Sequence, residues 1–117
     1  MATKQTQVWR VAGRLASDGT GTLKTNKLKR GQLLCVQAIT CRNLDTKTPD
    51  FHMGFDRDGE LYYLESITGT ARGIAKKTLG PVWIPSEYQV RVDIEGGGDN
   101  DEVEMYVYGY LTNNAGE

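Results

Sequence analysis

Residues 84–111, IPSEYQVRVDIEGGGDNDEVEMYVYGYL, contain two stretches in which apolar and polar residues alternate. In YQVRVDI (88–94) and EVEMYVYGYL (102–111) nearly every second residue is apolar, which is the period of a β-strand with one buried face. The intervening EGGGDND (95–101) is rich in residues that tolerate a turn. The pattern predicts an antiparallel hairpin with a long loop.

The second of these stretches places three tyrosines, Tyr106, Tyr108 and Tyr110, on the face opposite its apolar residues. Tyrosine is enriched at interfaces because its ring buries area and its hydroxyl finds a partner. We interpret this face as a protein-protein or sugar-binding surface, or as rings that pack across the hairpin over the polar side chains of 89–93. Gly109 predicts a bulge or a close approach by another backbone.

The rest of the chain also has the signals of short strands. FHMGF (51–55) and LYYLESI (61–67) flank DRDGE, and Asp58-Gly59 predicts a type I′ hairpin turn. The apolar GQLLCVQAITC (31–41) indicates a central strand buried on both faces, and TQVWRVAGRL (6–15) indicates an earlier strand. TARGIAKKTL (70–79) is interpreted as a loop or a short helical turn, because its glycines disfavour a helix.

These elements predict an all-β, single-domain antiparallel β-sandwich, jelly-roll-like, from residues 8 to 112. We expect a flexible N-terminal arm over 1–7 and a flexible tail over 113–117. The chain has 117 residues and a formal net charge of −1, so one domain is expected and no global charge points to nucleic acid. The start, MATKQTQVWR, lacks the apolar stretch of a signal peptide, and a cytoplasmic site of synthesis is expected.

Candidate chemical groups are few. In an extended strand Cys35 and Cys41 would share a face about 20 Å apart, too far for a disulfide, so two free thiols are expected. The single histidine, His52, is interpreted as a solvent-facing strand residue, and pairing with a cysteine is the alternative. Asp99, Asp101 and Glu102 could ligate calcium, but an acidic loop is more often solvated. We therefore expect no catalytic residue, no metal and no cofactor.

Basic residues fall in two groups, one with Lys27, Lys29 and Arg30 and the other with Arg72. We interpret them as solvated loops or as half of a charge-complementary contact between subunits, and not as a nucleic-acid site, because aromatic residues are not interleaved with them. Trp83 lies between two prolines, and the alternatives are core burial and an interface anchor. The predicted interface residues are Trp83, Tyr106, Tyr108, Tyr110, Lys27, Lys29, Arg30 and Arg72.

Residues 82–111, VWIPSEYQVRVDIEGGGDNDEVEMYVYGYL, resemble the C-terminal hairpin of small all-β structural proteins of tailed-bacteriophage virions. In that family an Ile-Pro-x-x-aromatic segment precedes a strand with alternating basic residues, a Gly/Asp turn and a strand ending in YGY. The resemblance implies a jelly-roll sandwich that decorates or cements the capsid, often as a trimer. It implies as partners the major capsid protein or other virion subunits, assembly in the host bacterial cytoplasm, and no enzymatic activity or membrane.

Three other functions remain open from the sequence. One is a tail or head-completion component of the same virion. Another is a lectin-like, carbohydrate-binding sandwich that uses the tyrosine face for stacking on sugars. The third is a small β-rich enzyme or ligand binder that uses Cys35, Cys41 and His52.

Overall fold

The computed structural model describes residues 3–45, 49–68 and 74–113. These residues form eight strands: β1 (Thr3–Arg14), β2 (Gly21–Lys24), β3 (Gln32–Asn43), β4 (Asp50–Arg57), β5 (Glu60–Thr68), β6 (Ile74–Ile84), β7 (Tyr88–Glu95) and β8 (Glu102–Asn113). Within the described ranges we find no helix with the length and apolar character needed to cross a lipid bilayer.

The strands form two antiparallel sheets of four, which we call sheet A (β1-β8-β3-β6) and sheet B (β2-β7-β4-β5). Of the described connections only β4–β5 is a hairpin between neighbouring strands, while the others pass from one sheet to the other. Eight strands in two sheets linked in this way are a jelly roll, so the predicted all-β sandwich is confirmed. The core fills the space between the sheets, with fully buried side chains that include Phe51, Met53, Ile39, Met105, Val90, Val92 and Val107.

The predicted hairpin of β7 and β8 is wrong. β7 pairs with β2 and β4 in sheet B, whereas β8 pairs with β1 and β3 in sheet A. Residues 96–101 connect the two sheets, and buried Asp101 fixes this connection by accepting hydrogen bonds from Asn43 Nδ2 (2.9 Å) and the Gly98 N–H (2.8 Å). Alternation shows which face of a strand is buried, but it does not show which strand lies beside it.

The β4–β5 hairpin is confirmed. Arg57 pairs with Glu60, so the loop has two residues, Asp58 at φ 53° and Gly59 at φ 84°. Two consecutive positive φ angles define the type I′ turn that the sequence predicted.

β3 is an internal strand, as predicted, but it contains a bulge. Val36 lies opposite Gly109 and Ala38 opposite Tyr108, so Gln37 is an extra residue. A Cβ atom on Gly109 would lie 2.0 Å from the Cys35 carbonyl oxygen, so the predicted close backbone approach is confirmed. The bulge also shifts the alternation of faces by one residue. Cys35 therefore faces away from the core and Cys41 faces into it, and their predicted position on one face is wrong.

Two further predictions differ from the structure. Residues 74–79, expected in a loop or helical turn, belong to β6, because their main chain pairs with Ala38–Arg42 of β3. The predicted N-terminal arm includes residues 3–7, which form the start of β1 and pair with the end of β8. Arg72 and the tail residues 114–117 lie outside the described residues.

Candidate interaction surface

The side chains of sheet A that point away from the core form a surface that we call the outer face of sheet A. Strand register arranges it in rows across the sheet. One row holds Val8, Tyr108 and Ala38, and the next holds Arg10, Tyr106 and Thr40. A row on the other side of Tyr108 holds Tyr110, Cys35 and Trp83. The three predicted tyrosines therefore lie on one outward face, together with Trp83.

This face carries most of the large hydrophobic side chains that are exposed among the described residues. Within the described residues, six large hydrophobic side chains are exposed, and four of them lie here: Val8 (59%), Trp83 (50%), Tyr108 (40%) and Leu33 (37%). Exposed apolar side chains gathered on one face of a small protein are typical of an interaction site. The alternative that Trp83 is buried in the core is wrong, because pairing opposite Cys35 turns it outward.

At the other end of the same face lies a buried carboxylate, Glu104, whose side chain is only 2% exposed. Arg10 donates a hydrogen bond from Nε to its Oε2 (2.9 Å), and Arg42 forms an ion pair with it, with Nε 2.5 Å from Oε1. Burial would raise the pKa of Glu104, but the Arg10 hydrogen bond and the charge of Arg42 outweigh it, so the pKa lies below its ordinary value. Beside this cluster Arg14 pairs with Glu102.

The outer face of sheet B is different in kind. Asp56, 1% exposed, pairs with Arg91 (2.8 Å) and Lys24 (3.5 Å), and Arg91 also binds Asp93 (2.8 Å). The hydrogen bond from Arg91 lowers the pKa of Asp56. This network satisfies its own charges, which is what a solvated sheet face requires. Among the side chains that the structure describes, only those on the outer face of sheet A combine apolar exposure with anchored charge.

Glu104 and Asp56 should make folding stability fall in acid. Their folded-state pKa values lie below the ordinary values of 4.5 and 3.8, so the unfolded chain takes up protons first as the pH falls. Their stabilisation is complete above about pH 5 and is lost as the pH drops through the folded-state pKa values. We expect Glu104→Gln to cost about 1–2 kcal/mol near neutral pH, a small value because both arginines are about half exposed to solvent.

The measurement is thermal unfolding of the wild-type protein and Glu104→Gln as a function of pH. The difference between their midpoints should shrink as the pH falls through the folded-state pKa of Glu104, because the wild-type carboxyl group then becomes protonated. A difference that stays constant over the whole range would show that Glu104 stabilises the fold only through packing.

Three other predicted interface residues, which belong to the described part of the chain, lie apart from this face. Lys27, Lys29 and Arg30 are exposed in the connection between β2 and β3, at the end of the sandwich where β3 begins. Lys27 makes one long ion pair, 3.7 Å, with Asp58. Leu33, Arg10 and Val8 belong to the outer face but were not predicted from the sequence as interface residues. For Val8 a signal exists, because the inward positions of Trp9 and Val11 imply that Val8 points outward.

A site that joins His52 to a cysteine does not form. His52 lies on the outer face of sheet B, where its Nδ1 contacts Ser66 Oγ and its Nε2 lies 2.8 Å from Glu95 Oε1. Cys41 is fully buried between the sheets, and Cys35 belongs to the outer face of sheet A. Sheet B separates the imidazole from both sulfur atoms, so the alternative of a Cys–His pair is wrong.

The acidic residues in and next to the connection between β7 and β8 stabilise the fold. Asp101 holds Asn43 and Gly98, and Glu102 pairs with Arg14. Across the described part of the chain, no group of three His, Cys, Asp or Glu side chains is arranged to hold a metal ion.

The thiol of Cys41 should be inert in the folded protein. Burial raises its pKa to about 12 from an ordinary value of 9.0, which lowers the thiolate fraction roughly a thousandfold. We expect iodoacetamide to modify Cys41 only after urea unfolds the protein, as followed by peptide mass spectrometry. Modification of Cys41 in the native protein at the rate of a free cysteine would contradict this placement.

No protein-family model and no curated protein matches the sequence. A chain of the cyanophage Pam1 capsid asymmetric unit is similar in structure, with a TM-score of 0.52, 18% identity, and coverage of 93% of this chain and 85% of that one. Lower scores link the protein to a Bacillus endospore appendage pilus protein (TM-score 0.48, 12% identity, covering 97% and 90%) and to the carbohydrate-binding module TmCBM61 (0.43, 11%, 94% and 86%).

The fold and the outer face together define a class: an all-β sandwich with one exposed aromatic face. At 18% identity the Pam1 likeness is a likeness of fold, and it shows that a chain in a viral capsid has this architecture.

Proposed function

We propose that the protein is a non-enzymatic structural component of a virus particle, and that it attaches as a capsid cement or decoration protein through the outer face of sheet A. The observation that carries the proposal is the exposure of Val8, Trp83, Tyr108 and Leu33 on one face of a sandwich whose other outer face is ion-paired. The capsid chain of the same fold and the resemblance to virion proteins of tailed bacteriophages support the setting. Because β7 and β8 do not pair with each other, that resemblance rests on their alternation and not on a shared hairpin.

The geometry suits attachment. Tyr108 and Trp83 offer rings that lose little conformational entropy on binding, and such residues dominate the energy of protein interfaces. Arg10 and Arg42 are held by Glu104 at the edge of the aromatic patch, so their positions are set before a partner arrives. Aromatic contacts supply affinity, while fixed charges supply orientation.

The partner that this face fits is another virion subunit, with the major capsid protein first. A stable interface buries about 800 Å² on each partner. Each of the four strands of sheet A contributes one exposed apolar residue: Val8, Tyr108, Leu33 and Trp83. A contact of that size is therefore available on this face. A homotrimer seated on the particle would bring three such faces to the capsid and would multiply the affinity of each.

Purified particles provide the test. Quantitative mass spectrometry should find the protein in many copies per particle, as a cement or decoration protein requires. A few copies would indicate a tail or head-completion component, and absence from the particle would reject a virion role.

Thermal challenge of the particles provides a second readout. Because bound subunits stabilise the assembled state by mass action, particles that lack the protein should lose their contents at a lower temperature than complete particles. Binding of the isolated protein to a glycan array through Trp83 and Tyr108, together with its absence from particles, would favour the carbohydrate-binding alternative.

A further inference from the structure

β1 is an edge strand that lacks the protection of the other three edges. Sheet A ends at β1 and β6, and sheet B ends at β2 and β5. β6 contains Pro81, β2 has only four residues, and β5 has a bulge opposite Met53 and Gly54. Proline, short length and bulges are three of the devices that keep sheet edges from pairing with other chains, and charged side chains are a fourth. β1 pairs with β8 over twelve residues in unbroken register and has none of the first three, and its charged residues, Lys4, Arg10 and Arg14, are all basic.

The main-chain groups that face this free edge can be identified. Leu15 donates its N–H to the Asp101 carbonyl (2.9 Å), in the same register that pairs β1 with β8. Hydrogen-bonded pairs alternate along an antiparallel ladder, so the odd-numbered residues of β1 bond to β8. The N–H and C=O groups of Val8, Arg10 and Ala12 therefore point away from β8. Within the described strands, β8 is the only partner of β1.

A groove of about 470 Å³ runs beside this edge. Residues 9–12 of β1 form one wall, residues 24–29 form the other, and Leu34 and Leu111 lie between them. The groove closes where β1 meets β2, because a Cβ atom on Gly13 would lie 3.1 Å from Leu23 Cδ2. Four β1 residues span about 13 Å, which is room for a short extended peptide.

The groove has a positive lining. Lys24, Lys27 and Lys29 line it together with Arg10, whose guanidinium is bound to Glu104 on the outer face, and none of the lining residues is acidic. The acidic partners of these cations belong to other surfaces. The pairs of Lys24 with Asp56 (3.5 Å) and of Lys27 with Asp58 (3.7 Å) are long and partly exposed, so they hold the lysines weakly.

We propose that this groove binds an extended acidic segment of another polypeptide, which adds to β1 as a further strand of sheet A. In strand addition, main-chain hydrogen bonds supply affinity, and pockets for alternate side chains supply specificity. Apolar side chains of the segment would enter the groove toward Leu34 and Leu111, and its acidic side chains would meet the lysines. The proposal does not depend on the proposed capsid contact, because that contact uses the face of sheet A and this one uses its edge.

The probe is an acetylated, amidated heptapeptide of alternating glutamate and valine, titrated into the full-length protein and followed by amide NMR. We expect saturable shifts in residues 8–12 and an affinity at least about tenfold above that of the matched lysine–valine peptide. Ala12→Pro removes an N–H that faces the edge and not β8, so it should abolish binding while the fold is kept.

The charge of the groove is tested by the double variant Lys27→Glu, Lys29→Glu. It should weaken binding of the acidic peptide at least about tenfold, whereas Arg30→Glu, the same change just outside the groove, should have little effect. If Ala12→Pro does not fold, the wild-type protein still decides the question. The acidic peptide should then slow hydrogen exchange at the amides of Arg10 and Ala12.

Four results would overturn the proposal. These are the absence of saturable binding, equal binding of both peptides, unchanged binding to a folded Ala12→Pro variant, and no added protection of the Arg10 and Ala12 amides. A fifth result would be self-association of the protein, in the absence of peptide, that Ala12→Pro removes. It would identify a second copy as the occupant and would reject the acidic segment.

Discussion

Replacement of Gly109 by alanine is expected to lower the free energy of unfolding by about 3 kcal/mol or more, or to prevent folding. The added Cβ atom would lie 2.0 Å from the carbonyl oxygen of Cys35 and 3.0 Å from its carbonyl carbon. Both atoms belong to the main chain, so no side-chain rotation relieves the contact. β3 would have to move away from β8 at the bulge, at the centre of sheet A.

Gly96→Ala is the matched control for this substitution. Gly96 has a positive φ of 77°, and a Cβ atom there would meet nothing within 4 Å. Its replacement should cost only the backbone strain of a left-handed residue, about 1 kcal/mol. Urea unfolding of the two variants decides the matter, and equal midpoints would show that β3 and β8 do not approach each other as the structure places them.

The double substitution Trp83→Glu, Tyr108→Glu is expected to weaken attachment to the capsid, or to a second copy, by at least about a hundredfold. Truncation of one central aromatic residue at an interface costs about 2 kcal/mol or more, and two introduced carboxylates would add the cost of burying charge. Both side chains are exposed in the isolated protein, so its thermal unfolding should change little. Binding of labelled protein to particles that lack it measures the effect.

Tyr62→Glu provides the control for this surface. Tyr62 is 45% exposed but belongs to β5 of sheet B, where its ring lies 6.1 Å from that of Tyr88. The same change of charge at this position should leave attachment unchanged. Equal loss of binding in both variants would indicate a general charge effect. Normal binding by the double variant would show that attachment does not use the outer face of sheet A.

The sequence predicted the features of this fold that depend on local pattern. The alternation of apolar and polar residues predicted strands β7 and β8 and the outward position of the tyrosines. Asp58-Gly59 predicted a two-residue turn, and Gly109 predicted a close backbone contact. These features depend on side-chain period and on backbone conformation, and both can be read from neighbouring residues.

Strand pairing could not be predicted in the same way. β7 and β8 are consecutive, and consecutive strands usually pair, but a jelly roll places them in different sheets. β6 has little strand character of its own and forms because the main chain of β3 offers it hydrogen bonds. The bulge at Gln37 leaves no clear signal within β3, yet it decides which way Cys35 faces.

The candidate surface was predicted only in part. The tyrosines were found because their alternation is visible in one strand. Trp83 was also predicted as an interface residue, whereas Val8 and Leu33 were not. These three residues come from three other strands, and the register that gathers them is a property of the whole sheet. Glu104 was counted among the outward residues, but its burial depends on Arg10 and Arg42 from the two flanking strands.

Hydroxyl-radical footprinting of purified particles tests the central claim most directly. Oxidation of Trp83 and Tyr108 would be compared between the free protein and the particle, with Tyr62 as the internal reference. We predict that Trp83 and Tyr108 are protected in the particle while Tyr62 reacts equally in both. Equal oxidation of all three residues in the two samples would contradict attachment through the outer face of sheet A.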